Sequence, residues 1–434
     1  MLVVLDLLRD LVLTNRSILG PGYDAALERV GRDLPLTVHE ARSGSKVWTW
    51  TVPDAWDVTE AWFEADGVRY ADFARHPLHV WSYSLPFHGR VSREELLRHV
   101  TTDPERPNAI PFDFRYYERD WGFSLEHTRL AELTADSYNV HIDARHFPGT
   151  LKVGEFVIEG SSDESVIVMA HLDHPGQAND DLAGVAVAAE VAKRLRGWQP
   201  RRTHRFLFLP EHIGSTAYLA LHEDILPSFR YGVFLEMLGV DQPLALQHSR
   251  QAKTPVDAAF KLALEATGAA HVTGPFLQVI ANDEQVLNGP GVDVPTISLS
   301  RARPQQSGDV DYPQFHVGKP YPEYHTSDDS LDIVVPDRLE EAVRVTIDAL
   351  KILDEDVVPR RRYRGTVQLS SYGLWVDWRT NPKLNEQIDR LMWSFEGDRS
   401  LTEIALELGL PFAEVRDYVR RFEAAGLVSL EPPA

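Results

Sequence analysis

Val166-Ile167-Val168-Met169-Ala170-His171-Leu172-Asp173-His174-Pro175-Gly176-Gln177-Ala178-Asn179-Asp180-Asp181 is the stretch on which the reading of this chain turns. Its first five residues form a short apolar run, rich in β-branched side chains, of the kind found in strands buried on both faces. The run breaks into polar residues at His171, and a helical segment follows over 181–196. Phe206-Leu207-Phe208-Leu209 and Val233-Phe234-Leu235 repeat the apolar pattern, and a further helical stretch covers 337–355. Continuous apolar strands alternating with helices, from about Tyr138 to Asp356, predict an α/β fold whose central sheet is covered on both sides.

The flanks differ from this core. Residues 45–115 are dense in Trp, Tyr and Val. Val47-Trp48-Thr49-Trp50-Thr51-Val52 alternates like a half-buried strand, and Val80-Trp81-Ser82-Tyr83 keeps the same character. A β-rich insert is expected there, splitting the main domain into 1–44 and 116–358. Beyond a linker over 359–380, residues 381–434 read as a winged helix-turn-helix. Ser400 caps a helix through Leu408 and Gly409 makes the turn. Pro411 opens a second helix to about Ala425, and Gly426 precedes the strand-like Leu427-Val428-Ser429-Leu430. Such modules often bind DNA, but this one carries six basic residues against ten acidic ones, a net charge of −4. Phosphate neutralisation supplies most non-specific DNA affinity. Packing on its own chain, or on a second copy in a homo-oligomer, is the expectation instead.

Composition narrows the function classes. The chain has 434 residues and a formal net charge of −21, which opposes binding to nucleic acid or to anionic membranes. With no cysteine, disulfides, thiolate zinc sites, iron–sulfur clusters and a Cys nucleophile are excluded. The N-terminal MLVVLDLLRDLVLTNR is interrupted by Asp6, Arg9 and Asp10. Its Leu2, Leu5, Leu8 and Val12 lie at helical spacing, so it reads as an amphipathic helix rather than a signal peptide. No stretch approaches the ~18 apolar residues of a membrane span, and the cytoplasm is the expected compartment. A Gly-x-Ser-x-Gly elbow and a Gly-x-x-x-x-Gly-Lys-Ser/Thr loop are both missing, which disfavours serine hydrolases and phosphate-loop enzymes.

The chemistry-bearing residues stand at the C-terminal ends of the predicted strands, where open α/β sheets place their ligand sites. His171 and Asp173 leave the first strand, and Asp180 opens the following helix. Glu211-His212 follow Phe206–Pro210, Glu236 follows Leu235, and His325 lies in Tyr321-Pro322-Glu323-Tyr324-His325-Thr326-Ser327-Asp328. Taken singly, each is equally a helix cap or a surface polar group. Acids and histidines recurring at successive strand ends form a convergent set of the kind that coordinates metal.

The order His-x-Asp, Asn-Asp-Asp, Glu-His, Glu-Met-Leu-Gly, His-Thr-Ser-Asp resembles the co-catalytic di-zinc aminopeptidases. More closely, the chain is similar to a bacterial aminopeptidase-like family with an inserted β domain and a C-terminal winged helix. The resemblance implies a three-layer zinc-aminopeptidase-like sandwich with a mostly parallel sheet. It implies two zinc ions bridged by Asp180, with His171 and Glu236 completing one site and His212 and His325 the other. Glu211 would act as general base on the bridging water, and Asp173 would orient His171. The implied reaction is hydrolysis of a peptide or of an aminoacylated small molecule. Tyr324 would add an oxyanion hydrogen bond or simply pack. Asp283-Glu284 would hold a substrate α-ammonium or begin a solvated helix, and Arg250 and Arg301 would grip a carboxylate or serve structure. Two departures stand out. The superfamily has Glu-Glu where this chain has Glu211-His212, so Glu211 is itself a rival ligand. The closer family has Cys-His-Pro where this chain has Asp173-His174-Pro175, which makes His174 a rival of His171. The reading from another class is a catalytically inactive, peptidase-derived regulatory protein with the winged helix as its output.

Overall fold

The computed structural model describes residues 2–302 and 319–433. The chain divides into two compact units, Met1–Arg250 with Val272–Val343, and Gln251–His271 with Arg344–Ala434.

The first unit is built on a mixed sheet of eight strands. They are β1 (Thr37–Arg42), β2 (Thr150–Ile158), β3 (Ser165–His171), β4 (Thr203–Leu209), β5 (Phe229–Leu235), β6 (Leu244–Gln247), β7 (His271–Gly274) and β8 (Thr296–Ser300). Their spatial order is β1-β2-β4-β3-β5-β8-β6-β7. The central four, β4, β3, β5 and β8, run parallel to one another. Antiparallel partners flank them, β1 and β2 on one side and β6 on the other. All seven residues of β3 are buried, which is why its sequence is apolar without alternation. Ile167 and Met169 of β3 and Leu207 and Leu209 of β4 share a core with Ile213, Ala217 and Leu219 of the helix Ile213–Leu221.

The helix Gly184–Arg194 packs against β3, β4 and β5. Its buried side is made of Gly, Ala and Val, small enough to let the helix lie close to the sheet. Gly184 has no substitute at the entry: a Cβ there would stand 2.3 Å from the carbonyl oxygen of Leu235 and 2.4 Å from Asp181 Oδ1.

A second, four-stranded antiparallel sheet has the order Val68–Asp72, Ala55–Ala65, Ser137–Phe147, Phe87–Ser92. It draws a central strand from 137–147, beyond the 45–115 stretch that composition marks as β-rich. The alternating segment 47–52 is not one strand. Lys46–Val47 and Trp50–Thr51 pair as a small hairpin, and Trp48 turns the chain with φ 50°. Only Val47 and Val52 of this segment are well buried, so the alternation reflects a turn with exposed Trp48 and Trp50.

In the second unit the helix Leu401–Leu408 begins with a reciprocal Ser400/Glu403 capping box and ends at Gly409 in the left-handed region, φ 61°. Phe412–Ala424 follows, then the strand Val428–Glu431, which pairs antiparallel with Val358–Arg361. Helix Pro255–Thr267 packs against Leu401–Leu408 within this unit. Among the described residues, no helix is long and apolar enough to cross a membrane.

Candidate metal centre

Parallel register brings the polar residues of three strand ends to one edge of the sheet. His171 closes β3 opposite Leu209, the last residue of β4, so Glu211 and His212 emerge beside it. Glu236 follows the last residue of the neighbouring β5. Four non-glycine residues at this edge, His174, His212, Met237 and His325, have left-handed φ values of 75°, 54°, 49° and 56°. Such strain persists only where surrounding structure imposes it, and it concentrates at functional sites.

Asp180 is the centre of the group. Its Oδ1 lies 3.0 Å from His171 Nε2 and its Oδ2 lies 3.0 Å from His325 Nε2. One nitrogen or oxygen each from His171, His174 and Asp180 falls within 4.8 Å of the others, and so do Asp173, His174 and Glu211. His174 belongs to both sets, and its Nε2 is 3.5 Å from Glu211 Oε2. Glu236, fully buried, accepts from Ser298 Oγ at 2.8 Å through Oε1. Its Oε2, together with Asp173 Oδ2, Asp181 Oδ2, Asp283 Oδ2 and His174 Nδ1, is buried without a hydrogen-bond partner among the described residues.

This surplus of buried acceptors fits cations. Burial alone would lower His171, but Asp180 and Asp283 at its ring, with the charge of Asp181, carry it well above the ordinary histidine range. Asp180 pays the same desolvation, yet His174, His171 and His325 hold it well below the usual carboxylate range. Burial pushes Asp173, Asp181 and Glu236 up, and Glu236 is raised further by Glu284. Acids packed this closely cannot all ionise without positive charge among them, and divalent ions on carboxylate and imidazole ligands would supply it.

The shell that aims these groups comes largely from residues the motif reading passed over. Arg16, fully buried, donates to the carbonyls of Leu172, Asp173, His174 and Gln177 at 2.6–2.9 Å, and to Leu11 O at 3.1 Å. Burial lowers its pKa to about 10, still charged at neutral pH. Asp329 accepts from the backbone N–H groups of Asn179 and Asp180 at 2.7 and 3.0 Å, and from Tyr321 Oη at 2.8 Å. Asp181 Oδ1 accepts from Gly184 N and Met237 N, both at 2.9 Å, joining the loop after β3 to the end of β5. Arg16 has no local signal, since it acts on residues more than 150 positions away. Asp329 sits one residue past the His-Thr-Ser-Asp motif and was within reach of the sequence.

The remaining predicted residues divide. Asp173 Oδ1 accepts from Glu211 N at 2.9 Å, while the carboxylate facing His171 Nδ1, at 3.7 Å, is that of Asp283. Asp283 also accepts from His212 N at 2.9 Å and from Ser215 Oγ at 2.5 Å. Glu284 is buried, accepting from Gln247 Nε2 at 3.0 Å and from Asn282 N. The pair therefore faces protein groups rather than starting a solvated helix. Burial moves Glu284 up to about 8. The side chain of His212 belongs to neither candidate ion group; its backbone carbonyl accepts from Ser215 and Thr216 at the start of a helix. Tyr324 stacks on His325 with ring centroids 3.8 Å apart. Arg250 pairs with Asp293. Arg301 is buried, donating to the carbonyls of Leu238, Gln242 and Arg338 and to Glu341.

Comparison with known proteins places the fold. Residues 5–356 match the model of a family described as "Domain of unknown function (DUF4910)". A Clostridium acetobutylicum protein, named "Putative polysaccharide biosynthesis protein with aminopeptidase-like domain", is 28% identical over 439 residues, covering 98% of this chain and 96% of its own. A crystal structure of a "putative peptidase" from the same organism superposes with a TM-score of 0.86 at 27% identity, over 98% of this chain and 96% of that one. A zinc aminopeptidase from Bacillus subtilis superposes with a TM-score of 0.58 at 14% identity, over 80% of this chain and 93% of its own. The fold is aminopeptidase-like, an α/β architecture shared with zinc peptidases.

Proposed function

The chain belongs to the family described as "Domain of unknown function (DUF4910)", and we propose that it is a zinc-dependent aminopeptidase or a closely related amide hydrolase. The observation that carries the reading is the Asp180 carboxylate, whose two oxygens each meet a different imidazole inside a buried cluster of acids. In this reading Asp180 would hold zinc together with His171, Glu236 and His325, and His174 would join them in place of His212. Zinc, when bound, would supply Lewis acidity at the scissile carbonyl and a water whose pKa falls from about 15.7 toward about 7.

The chain's own groups do the rest. In the metal-free chain burial opposes the charge on Glu211, and the nearby His174, His171 and His212 hold its pKa below the ordinary range. With zinc bound, the charge of the ions would take over that part. Glu211 takes the proton of the attacking water and returns it to the leaving amine. Asp173, bonded to the Glu211 backbone N–H, fixes where that carboxylate begins. The substrate is a peptide or an aminoacylated small molecule. The regulatory alternative leaves Glu211, beside a full donor set, without a task.

Elemental analysis of full-length protein purified with zinc, followed by assay on leucine amide, tests the reading. About two zinc ions per chain and amide hydrolysis are expected. Metal-free protein after zinc supplementation would falsify it.

A further inference from the structure

The four-stranded sheet sets two histidines side by side on its outer face, and neither belongs to the clustered donors of the main sheet. Its central strand Ser137–Phe147 pairs with the edge strand Phe87–Ser92 in a register that places His88 opposite His141. Val140 and Ile142 are buried, so His141 between them faces outward, as the alternation of a strand requires. Side chains directly opposite on one face of an antiparallel pair lie within contact of each other. Here the two rings are 4.4 Å apart between centroids, and their Nδ1 atoms face each other at 3.0 Å. His88 is exposed and His141 half-buried.

The ring of His141 is also held by the neighbouring strand. Trp62, its cross-strand partner on Ala55–Ala65, stacks on it at 5.1 Å with the planes 10° apart. Trp62 Nε1 donates to Glu60 Oε1 at 2.8 Å, and Glu60 Oε2 stands 3.6 Å from His141 Nε2. A carboxylate beside Nε2 favours the tautomer with its proton on that nitrogen, which leaves the Nδ1 lone pair aimed at His88. Two lone pairs do not face each other bare, so the gap holds either a proton on His88 Nδ1 or a cation bound to both rings. Metal-ligating histidines have this construction, with one nitrogen on the ion and the other turned to a carboxylate.

The spacing selects the ion. Imidazole–metal bonds of about 2.0–2.1 Å, drawn from nitrogens 3.0 Å apart, meet at about 90–100°. That is nearer the right angle between neighbouring ligands of a tetragonal site than the wider tetrahedral angle, and tetragonal nitrogen sites suit Cu2+ and Ni2+. Among the described residues no third histidine or acid completes a cluster with this pair, which leaves the other positions to water. We propose that His88 and His141 chelate a divalent cation of the nickel–copper class through their Nδ1 atoms, with Glu60 and Trp62 orienting His141. The ion displaces the proton between the rings to solvent and clamps Phe87–Ser92 to the central strand. An edge strand has a ladder partner on one side only, so the clamp acts where the sheet is least secured. The site is independent of the hydrolase reading.

Calorimetric titration of the full-length, tag-free chain with Ni2+, with zinc content measured before and after, tests it. Wild type should take up about one Ni2+ more per chain than His88→Ala, with the zinc content of both unchanged. His141→Ala should match His88→Ala, since a chelate needs both nitrogens. Glu60→Gln should keep the stoichiometry and weaken binding about tenfold, the low end of the 10–100-fold cost of losing an outer partner, because Glu60 is exposed. Ni2+ should raise the melting temperature of wild type and leave that of His88→Ala where it was, because an ion bound only by the paired strands stabilises the fold. His88→Gln, which keeps a polar side chain on the exposed position, repeats the comparison with the least disturbance of the strand. Equal Ni2+ uptake by wild type and the His88 variants, uptake that expels zinc in equal measure, equal melting shifts, or unchanged affinity in Glu60→Gln overturns the proposal.

Discussion

Glu211 and His174 stand 3.5 Å apart, and the two side chains are easily confused as ligand and base. Glu211→Gln preserves shape and removes the proton acceptor. Turnover should drop about 10²- to 10⁴-fold, the usual contribution of a positioned base, while zinc content holds. Loss of zinc in that variant would make Glu211 a ligand. The second residue-scale prediction concerns the imidazoles. His174→Ala should lower zinc affinity strongly and His212→Ala only slightly, because His174 joins both groups of clustered donors, whereas His212, unlike His325, makes no ion pair with Asp180 among the described residues. Zinc titration with a competing chelator reads both variants, and the reverse ranking would restore Glu211-His212 as the base–ligand pair. Among the proposed donors, His171 and Glu236 were legible because they stand at strand ends, which converge on one edge in an α/β sheet. Asp180 and His325 stand in a helical turn and a loop and were reached through the motifs around them. The assignment among neighbouring histidines was not legible. It depends on the left-handed turns at His174 and His212, which aim adjacent side chains in different directions.

Between β3 and the helix Gly184–Arg194 the chain makes a long polar excursion through the protein interior, and its carbonyls need partners there. Arg16 supplies them for Leu172, Asp173, His174 and Gln177. Arg16→Ala leaves those carbonyls buried and unpaired, at about 1–3 kcal/mol for each group that finds no water. We expect destabilisation of several kcal/mol in urea unfolding, together with weakened zinc binding. Arg16→Lys should rescue little, since an ammonium has three donors on a flexible stem and lacks the planar fork. Near-wild-type stability in Arg16→Ala would mean that the loop is held from the other side, by Asp329. The element scale also shows where pattern reading gives out. Strands β3, β4 and β5 are visible as apolar runs, but the central strand Ser137–Phe147 of the smaller sheet pairs with Ala55–Ala65 across some 80 residues. Periodicity reports that a segment is a strand and says nothing about which distant segment it joins.

At the scale of the whole molecule, every proposed zinc donor lies in the first unit, whereas the three C-terminal helices belong to the second. The second unit is stitched from distant pieces of sequence. Val358–Arg361 pairs with Val428–Glu431, Asp356 accepts from Thr402 N and Oγ1, and helix Pro255–Thr267 packs on Leu401–Leu408. The helix Phe412–Ala424 buries Phe412, Val415, Tyr418, Val419 and Phe422, leaving the polar face with Glu414, Asp417 and Glu423 among its arginines. Arg416 is spent on Glu355 and Asp417, and Arg421 on the carbonyl of Gly373. With two of its three arginines engaged in this way, the helix presents little for phosphate. Truncation at 380 should therefore unpair Val358–Arg361 and uncover one side of Pro255–Thr267, lowering stability or solubility, while the truncated protein retains its zinc. The intact chain, at −21, should not shift duplex DNA in a low-salt gel at micromolar protein, where electrostatic attraction is strongest and any cationic surface would reveal itself. Sequence-selective retention in that gel would show that the second unit reads nucleic acid, and would revive the regulatory alternative over the hydrolase.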